Sequence, residues 1–134
     1  MEMTIQEIFD EVQQIEIHNN GSTLKLLPEQ PGYKLVINGF INLIANGRQM
    51  PAFGVSLDNE TRIAMGEGVW VEFDFGKRLW YSQMSFEKLL VQVVSSYSGF
   101  NVVRYNSADG YAGRCYYFAL NGDMREFYNV VTSV

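Results

Sequence analysis

Hydrophobic residues near the start of the chain recur with the spacing of an α-helix. They fall at i, i+3, i+4, i+7 and i+10, which forms one apolar stripe: Ile5, Ile8, Phe9, Val12 and Ile15. Thr4 is a favoured N-cap residue, and Glu7 three residues later completes a capping box. The pattern predicts an amphipathic helix that begins after Thr4 and ends at residues 18–21.

The next part of the chain, residues 22–82, changes to a period of two, which is typical of β-strands. Alternation over residues 33–44 predicts a long strand, Asn46-Gly47 predicts a tight hairpin turn, and a return strand follows through Phe53, Val55 and Leu57. Residues 58–60 then predict a turn, and residues 62–65 a short strand.

The clearest alternation lies at residues 69–75, where Val and Phe alternate with Trp70, Glu72 and Asp74. A turn at Gly76-Lys77 and a partner strand at 79–81 complete a predicted hairpin. A second helix is predicted after Ser85 on apolar residues at helical spacing, with Gly99 placed to end it. These apolar residues are Phe86, Leu89, Leu90, Val93, Val94 and Tyr97.

Residues 100–105 and 111–120 predict another strand pair, joined by the loop 106–110. The last segment has two interpretations, because residues 128–134 are rich in β-formers while Asp123 and Glu126 resemble a capping box. We predict a short C-terminal helix there.

These elements predict a single α+β domain over residues 1–134, with a mainly antiparallel sheet of hairpins and two helices, or three with the C-terminal one, packed on one side. A doubly wound fold would need helices between most strands. The chain is 47% hydrophobic and 19% charged, which is typical of a folded domain. No apolar run reaches the ~20 residues of a membrane span, so we expect no membrane association.

The net charge of −5 comes entirely from the first segment, because the rest of the chain has ten acidic and ten basic residues. The acidic residues of this segment are Glu2, Glu7, Asp10, Glu11 and Glu16. Nucleic acid is therefore not expected as a partner, since phosphate recognition needs a concentrated basic surface. An acidic helix face formed by Glu7, Asp10 and Glu11 instead favours a basic protein partner.

Catalytic and metal-binding motifs are weak in this sequence. One His and one Cys cannot supply a structural zinc site, and we expect no metal and no cofactor. Cys115 lies in a predicted strand, where a thiol is commonly a small buried apolar group, and His18 is placed at a helix end. A single cysteine and an acidic N-terminus without signal-peptide features favour the cytoplasm.

Two sets of residues nevertheless suggest binding. Glu72 and Asp74 lie two apart on a strand beside Trp70, an arrangement that suits general acid and base chemistry, although the simpler interpretation is a solvent-exposed sheet face. The second set combines tyrosines and arginines in a predicted hairpin, as protein-binding surfaces do. It consists of Arg104, Tyr105, Tyr111 and Arg114.

The leading hypothesis is therefore a small cytoplasmic protein-binding module of inhibitor, immunity or adaptor type, and not an enzyme. The first alternative is a small-molecule binder or hydrolase that uses Trp70, Glu72 and Asp74; it requires a pocket beside these residues. The second alternative is a structural or self-associating subunit, which would form a homo-oligomer.

Overall fold

The helices and strands follow from a computed structural model that describes residues 3–44, 49–50, 54–94 and 102–134. In chain order they are α1 (Ile5–Phe9), β1 (Gln14–Asn19), β2 (Ser22–Leu26), α2 (Pro31–Leu43), β3 (Gln49–Met50), β4 (Val55–Ser56), α3 (Asp58–Ala64), β5 (Val69–Tyr81), β6 (Met84–Val94), β7 (Val102–Tyr105), β8 (Gly113–Arg114), β9 (Tyr117–Phe118) and α4 (Met124–Ser133). None of the helices in the described ranges is long and apolar enough to cross a membrane.

The central element is a five-stranded antiparallel sheet in the order β2-β1-β5-β6-β7. Tyr116 forms an antiparallel bridge with Val102, the first residue of β7, and the short strands β8 and β9 flank Tyr116 in the chain. β4 then pairs with β8, and β3 with β9. The expected α+β fold with a mainly antiparallel sheet is confirmed.

One face of the sheet, the helix face, packs against α1, α2 and α4. Inward residues of β1, β5 and β6 alternate along each strand and bury their side chains in one core. Phe9, Phe40 and Phe73 meet there, with ring centroids 4.9 to 5.4 Å apart. Burial of such aromatic rings is a large source of the free energy of folding.

The opposite face, the loop face, carries a second and smaller core under α3 and the segment that follows β7. Its buried members are Trp70, Leu90, Val103, Tyr111 and Cys115. Trp70 and Glu72 are each only 3% exposed. The interpretation of this strand face as solvent-exposed is therefore wrong at these two positions, because residues distant in sequence cover it.

The N-terminal helix begins as expected but is much shorter. Its capping box is present: Thr4 N donates to Glu7 Oε1 over 2.9 Å, and Glu7 N donates to Thr4 Oγ1 over 3.2 Å. The helix ends at Phe9, and β1 begins at Gln14. Ile15 therefore lies on β1, whose backbone pairs with β2 along one edge and with β5 along the other.

The predicted strand at residues 33–44 is wrong, because this segment forms α2. Pro31 occupies the first turn of the helix, where its missing N–H costs nothing. The residues that the helix buries have helical spacing: Tyr33, Val36, Phe40 and Leu43. The predicted turn at Asn46-Gly47 lies outside the described residues, and so does Phe53 of the predicted return strand. The described part of that return strand forms β4.

The predicted turn and short strand at 58–65 are replaced by α3, whose first turn carries acidic residues that suit a helix N-terminus. The hairpin turn lies at Ser82-Gln83, both with positive φ, and not at Gly76-Lys77, where the register between β5 and β6 shifts. The predicted helix after Ser85 is instead β6, which pairs with strands on both sides. Its proposed end at Gly99 lies outside the described residues.

The end of the chain agrees better with expectation. β7 lies within the predicted strand 100–105, while the predicted strand 111–120 is reduced to β8, β9 and the bridge between them. The C-terminal helix is confirmed as α4. Asp123 is its N-cap, and its side chain accepts a hydrogen bond from Arg125 N over 2.8 Å.

Candidate functional site

A buried carboxylate lies near the centre of the loop face. Glu72 is on β5, the middle strand of the sheet, and its side chain is 3% exposed. The strand register places Glu16 of β1 directly opposite it. The hydroxyl of Tyr111 donates a hydrogen bond to Glu72 Oε2. This donor matters, because a buried carboxylate without hydrogen bonds is strongly unfavourable.

A histidine lies between these two carboxylates. His18 follows Glu16 on the same face of β1, and its Nε2 is 3.9 Å from Glu16 Oε2 and 3.9 Å from Glu72 Oε1. Its Nδ1 is 3.1 Å from the hydroxyl of Thr23. Nε2 is shielded from solvent and has no hydrogen-bond partner among the described residues. We call Glu16, His18 and Glu72 the carboxylate–histidine cluster.

The electrostatic environment keeps Glu72 ionised. Burial alone would raise the pKa of Glu72, but the interactions with His18 and the Tyr111 hydroxyl, together with the nearby Lys88 charge, outweigh it and lower the pKa below its ordinary value. Burial and the Glu72 charge strongly raise the pKa of Tyr111. Tyr111 is therefore the hydrogen-bond donor and Glu72 the acceptor at neutral pH.

Tyr111 is held over Glu72 by α3 and by a second tyrosine. Its backbone N–H donates to Asp58 Oδ1 over 2.9 Å, and the guanidinium of Arg62 lies 5.1 Å from its ring centroid. Asp58 and Arg62 form an ion pair at 3.0 Å. The ring of Tyr105 packs against the ring of Tyr111, with the two centroids 4.9 Å apart. These contacts fix the position of the hydroxyl.

A cleft of about 190 Å³ lies on the same face, between the β4–α3 segment and the sheet. Its lining includes buried side chains of both polar and apolar character: Trp70, Gln92, Val103 and Cys115. Ser56, Thr61 and Tyr117 add hydroxyl groups to the wall. Such a mixture of an apolar surface and a few polar groups is typical of small-molecule sites.

The three residues of the ligand-binding alternative, Trp70, Glu72 and Asp74, lie in different surroundings and do not form one site. Trp70 lines the cleft, whereas Glu72 belongs to the carboxylate–histidine cluster. Asp74 is half-buried and accepts hydrogen bonds from Gln14 Nε2 and from the backbone of Gly76. The face therefore has a pocket beside Trp70, as that alternative requires, but the two carboxylates do not line it.

The tyrosine and arginine set of the predicted binding hairpin is largely engaged inside the protein. Tyr111 is 4% exposed and Tyr105 is half-buried against it. The guanidinium of Arg104 donates to the carbonyl oxygens of Ser85 and Arg114, over 2.7 Å in each case. Of the four side chains proposed for partner binding, that of Arg114 is exposed.

The acidic residues proposed for partner binding do not share one helix face, because α1 ends before two of them. Glu7 lies on the helix and its carboxylate is occupied by the capping box. Asp10 is the exposed C-cap residue. Glu11 forms an ion pair with Lys77 of β5, at 3.0 Å.

Sequence reasoning missed two features of this surface. The sequence pattern predicts Glu16 and His18 at the end of a helix, although the alternation with the apolar residues Ile15 and Ile17 also indicates that the two share one face of a strand. The other feature is Trp80, which is 57% exposed on the β5–β6 hairpin.

No family model, no curated protein and no solved structure matches this chain.

Proposed function

We propose that this protein is a protein-binding module of inhibitor, immunity or adaptor type, and that the β5–β6 hairpin contacts its partner. The observation that carries the proposal is the exposure of Trp80, which is 57%. Arg78 lies two residues away on the same strand and is also exposed. Tryptophan and arginine are the residues most enriched at energetic hot spots of protein interfaces. We call Arg78 and Trp80 the hairpin surface.

The strand that carries Trp80 is anchored by its neighbours. Leu79 is buried in the core of the helix face, and Tyr81 packs against the same core. Trp80 points away from that core, and within the described part of the chain its indole makes no ring contact and no hydrogen bond. A rigid element that presents a large side chain loses little conformational entropy on binding.

The charges beside Trp80 suggest the chemistry of the partner. Arg78 is close enough to Glu87 to help lower the pKa of that carboxyl, although the main cause is its hydrogen bond from Ser107 N. Lys77 lies next to Arg78 and is paired with Glu11. A partner with an apolar pocket and an acidic rim would complement this surface. Any basic groups of the partner would be attracted to a different part of the protein surface, the exposed carboxylate of Asp10.

The proposal is tested by affinity capture from the native host with tagged protein, followed by mass spectrometry at low and high salt. Trp80→Ala is compared with Leu35→Ala, which removes another exposed apolar side chain, 58% exposed, from α2. We expect the wild type and Leu35→Ala to retain one stoichiometric partner and Trp80→Ala to lose it.

Three outcomes of this capture would count against parts of the proposal. Retention of the partner by Trp80→Ala would remove the hairpin surface from the interface. Asp10→Lys, captured in parallel, reverses an exposed charge of the acidic segment, and loss of the partner in this variant alone would transfer the interface to that segment. Recovery of only this chain, with a dimer in light scattering, would favour the self-associating alternative over a foreign partner.

A second candidate function is the binding of a small molecule in the cleft, which the convergence of Trp70 and Gln92 on its wall supports. Its volume of about 190 Å³ is below the roughly 300–1,000 Å³ of typical ligand pockets, so we propose a compact ligand. A fragment screen by ligand-observed NMR tests this. Ala64→Leu, which places a larger side chain in the cleft, should abolish binding that Leu35→Ala retains.

We also propose a cytoplasmic location. Cys115 is buried and unpaired, which suits a reducing compartment.

A further inference from the structure

The strongest unexplained feature outside the hairpin surface and the cleft is a pair of like charges. Glu16 and Glu72 are directly opposite each other on adjacent antiparallel strands. Like charges in this position destabilise a sheet, and the effect is greater where burial removes solvent screening. The Glu72 side chain is 3% exposed and that of Glu16 is 25% exposed. A positive group between them would offset this repulsion.

The histidine brings its Nε2 to the same point. In the tautomer that carries its proton on Nδ1 and donates it to Thr23 Oγ1, the lone pair of Nε2 faces the two carboxylates. Nε2 is buried and has no hydrogen-bond partner among the described residues. Its distances of 3.9 Å to both Glu16 Oε2 and Glu72 Oε1 are too long for hydrogen bonds.

We propose that Glu16, His18 and Glu72 bind a divalent transition metal ion such as Zn²⁺ or Mn²⁺. Metal bonds to imidazole nitrogen and carboxylate oxygen are about 2.0–2.2 Å long, so two of them span a gap of 3.9 Å. The three ligand atoms lie within 4.8 Å of one another. A small rotation of Glu16, the least buried of the three, brings them into one coordination sphere.

The surroundings of the cluster match those of protein metal sites. In metal-bound histidines the other ring nitrogen is usually in a hydrogen bond, and Nδ1 of His18 has such a partner in the hydroxyl of Thr23. Metal-bound carboxylates usually accept hydrogen bonds from neighbouring groups, and Glu72 accepts one from the hydroxyl of Tyr111. The partial exposure of Glu16 provides a path for the ion. One histidine with two carboxylates leaves room for a water ligand, as in open zinc sites.

The test uses tag-free protein stripped with a chelator, because an affinity tag of histidines would itself bind the ion. ZnCl₂ and MnCl₂ are titrated separately by calorimetry into the wild type, Glu16→Gln, His18→Gln, Glu29→Gln and Cys115→Ser. Glu29 is exposed and lies outside the cluster, and Cys115 is the one thiol of the chain. Circular dichroism establishes that each variant is folded.

We expect one equivalent of Zn²⁺ or Mn²⁺ to bind to the wild type, Glu29→Gln and Cys115→Ser. Glu16→Gln and His18→Gln should each weaken binding by at least tenfold. Saturating metal should also raise the Tm of the wild type by about 5 °C or more, and leave the Tm of His18→Gln unchanged.

The test substitutes the two less buried members of the cluster, Glu16 and His18, and therefore does not depend on a change at the buried Glu72. No stoichiometric binding of either ion at millimolar concentration would overturn the proposal. Equal affinity in the wild type, Glu16→Gln and His18→Gln would overturn it as well, because the ion would then bind elsewhere.

Discussion

The hydroxyl of Tyr111 donates a hydrogen bond to the carboxylate of Glu72, and this contact joins residues 39 positions apart in the chain. Glu72 belongs to the central strand, whereas Tyr111 follows β7 in a segment that covers the sheet. The donor satisfies one oxygen of the buried carboxylate, and the carboxylate acts together with Asp58, Arg62 and Tyr105 to hold Tyr111 in place. Contacts between distant parts of the chain thus hold the loop face together.

Tyr111→Phe should destabilise the protein by about 1–3 kcal/mol, because the ring still fills its site while the charged acceptor loses a donor. Urea denaturation at pH 7 measures the difference. Tyr105→Phe is the matched control: its ring contacts Tyr111, but its hydroxyl has no hydrogen bond to the described residues. We expect that control to change the free energy of unfolding by less than about 0.5 kcal/mol. A loss of less than about 0.5 kcal/mol in Tyr111→Phe would mean that the hydroxyl of Tyr111 is unimportant.

Two apolar side chains of α2 distinguish the helix from the strand that the sequence pattern predicts. Phe40 is 0% exposed and packs against Phe9 and Phe73, whereas Leu35 is 58% exposed. Phe40→Ala should cost about 3–5 kcal/mol, because it leaves a cavity in the main core. Leu35→Ala should cost less than about 1 kcal/mol.

The same urea titration measures both variants. On a strand with alternate residues inward, Leu35 would be buried. A large loss of stability in Leu35→Ala would therefore contradict the helix.

Glycine is required at position 110, where the loop turns toward α3. Its φ is +65°, and an added Cβ would collide with the Asp58 carboxylate. Gly110→Ala should therefore cost at least about 1–3 kcal/mol and weaken the hydrogen bond from Tyr111 N to Asp58.

Gly122→Ala is the control for Gly110→Ala. Its added Cβ would lie 3.8 Å from the nearest atom, in Leu43, which is an ordinary contact. We expect it to unfold close to the wild-type midpoint in urea. A Gly110→Ala protein as stable as Gly122→Ala would show that the loop adopts another conformation.

Local signals predicted the elements whose patterns have one interpretation. The capping residues Thr4 and Asp123 and the strict alternation at residues 69–75 predict where α1, α4 and β5 begin, although α1 ends at Phe9 and not at residues 18–21. The segment 33–44 has apolar residues at both helical and strand spacing, so its period could not be resolved. β6 is buried on both faces between two strands, and such a run also fits a helix.

The site was less accessible to sequence reasoning than the fold. Glu72 was recognised as a candidate, but its burial depends on Tyr111 and on α3, which pack over it from distant parts of the chain. Glu16 meets Glu72 through strand pairing between residues 56 positions apart. Short-range patterns carry no information about such contacts once the strand β1 is mistaken for the end of a helix.

Asp58 should make part of the stability depend on pH. The hydrogen bond from Tyr111 N, followed by the Arg62 side chain, holds the pKa of Asp58 below its ordinary value of 3.8. The unfolded chain then binds the proton more readily, so the contribution is fully present above the unfolded pKa and is lost as pH falls through the folded pKa.

Urea denaturation of the wild type and Asp58→Asn between pH 7 and pH 2 tests this. We expect the advantage of the wild type to be constant above about pH 5 and to shrink steadily below about pH 4. Asp10→Asn is the control, because Asp10 is exposed and its carboxylate has no hydrogen bond to the described residues. An advantage over Asp58→Asn that stays the same at pH 7 and pH 2 would mean that the Asp58 carboxylate does not anchor Tyr111 through its charge.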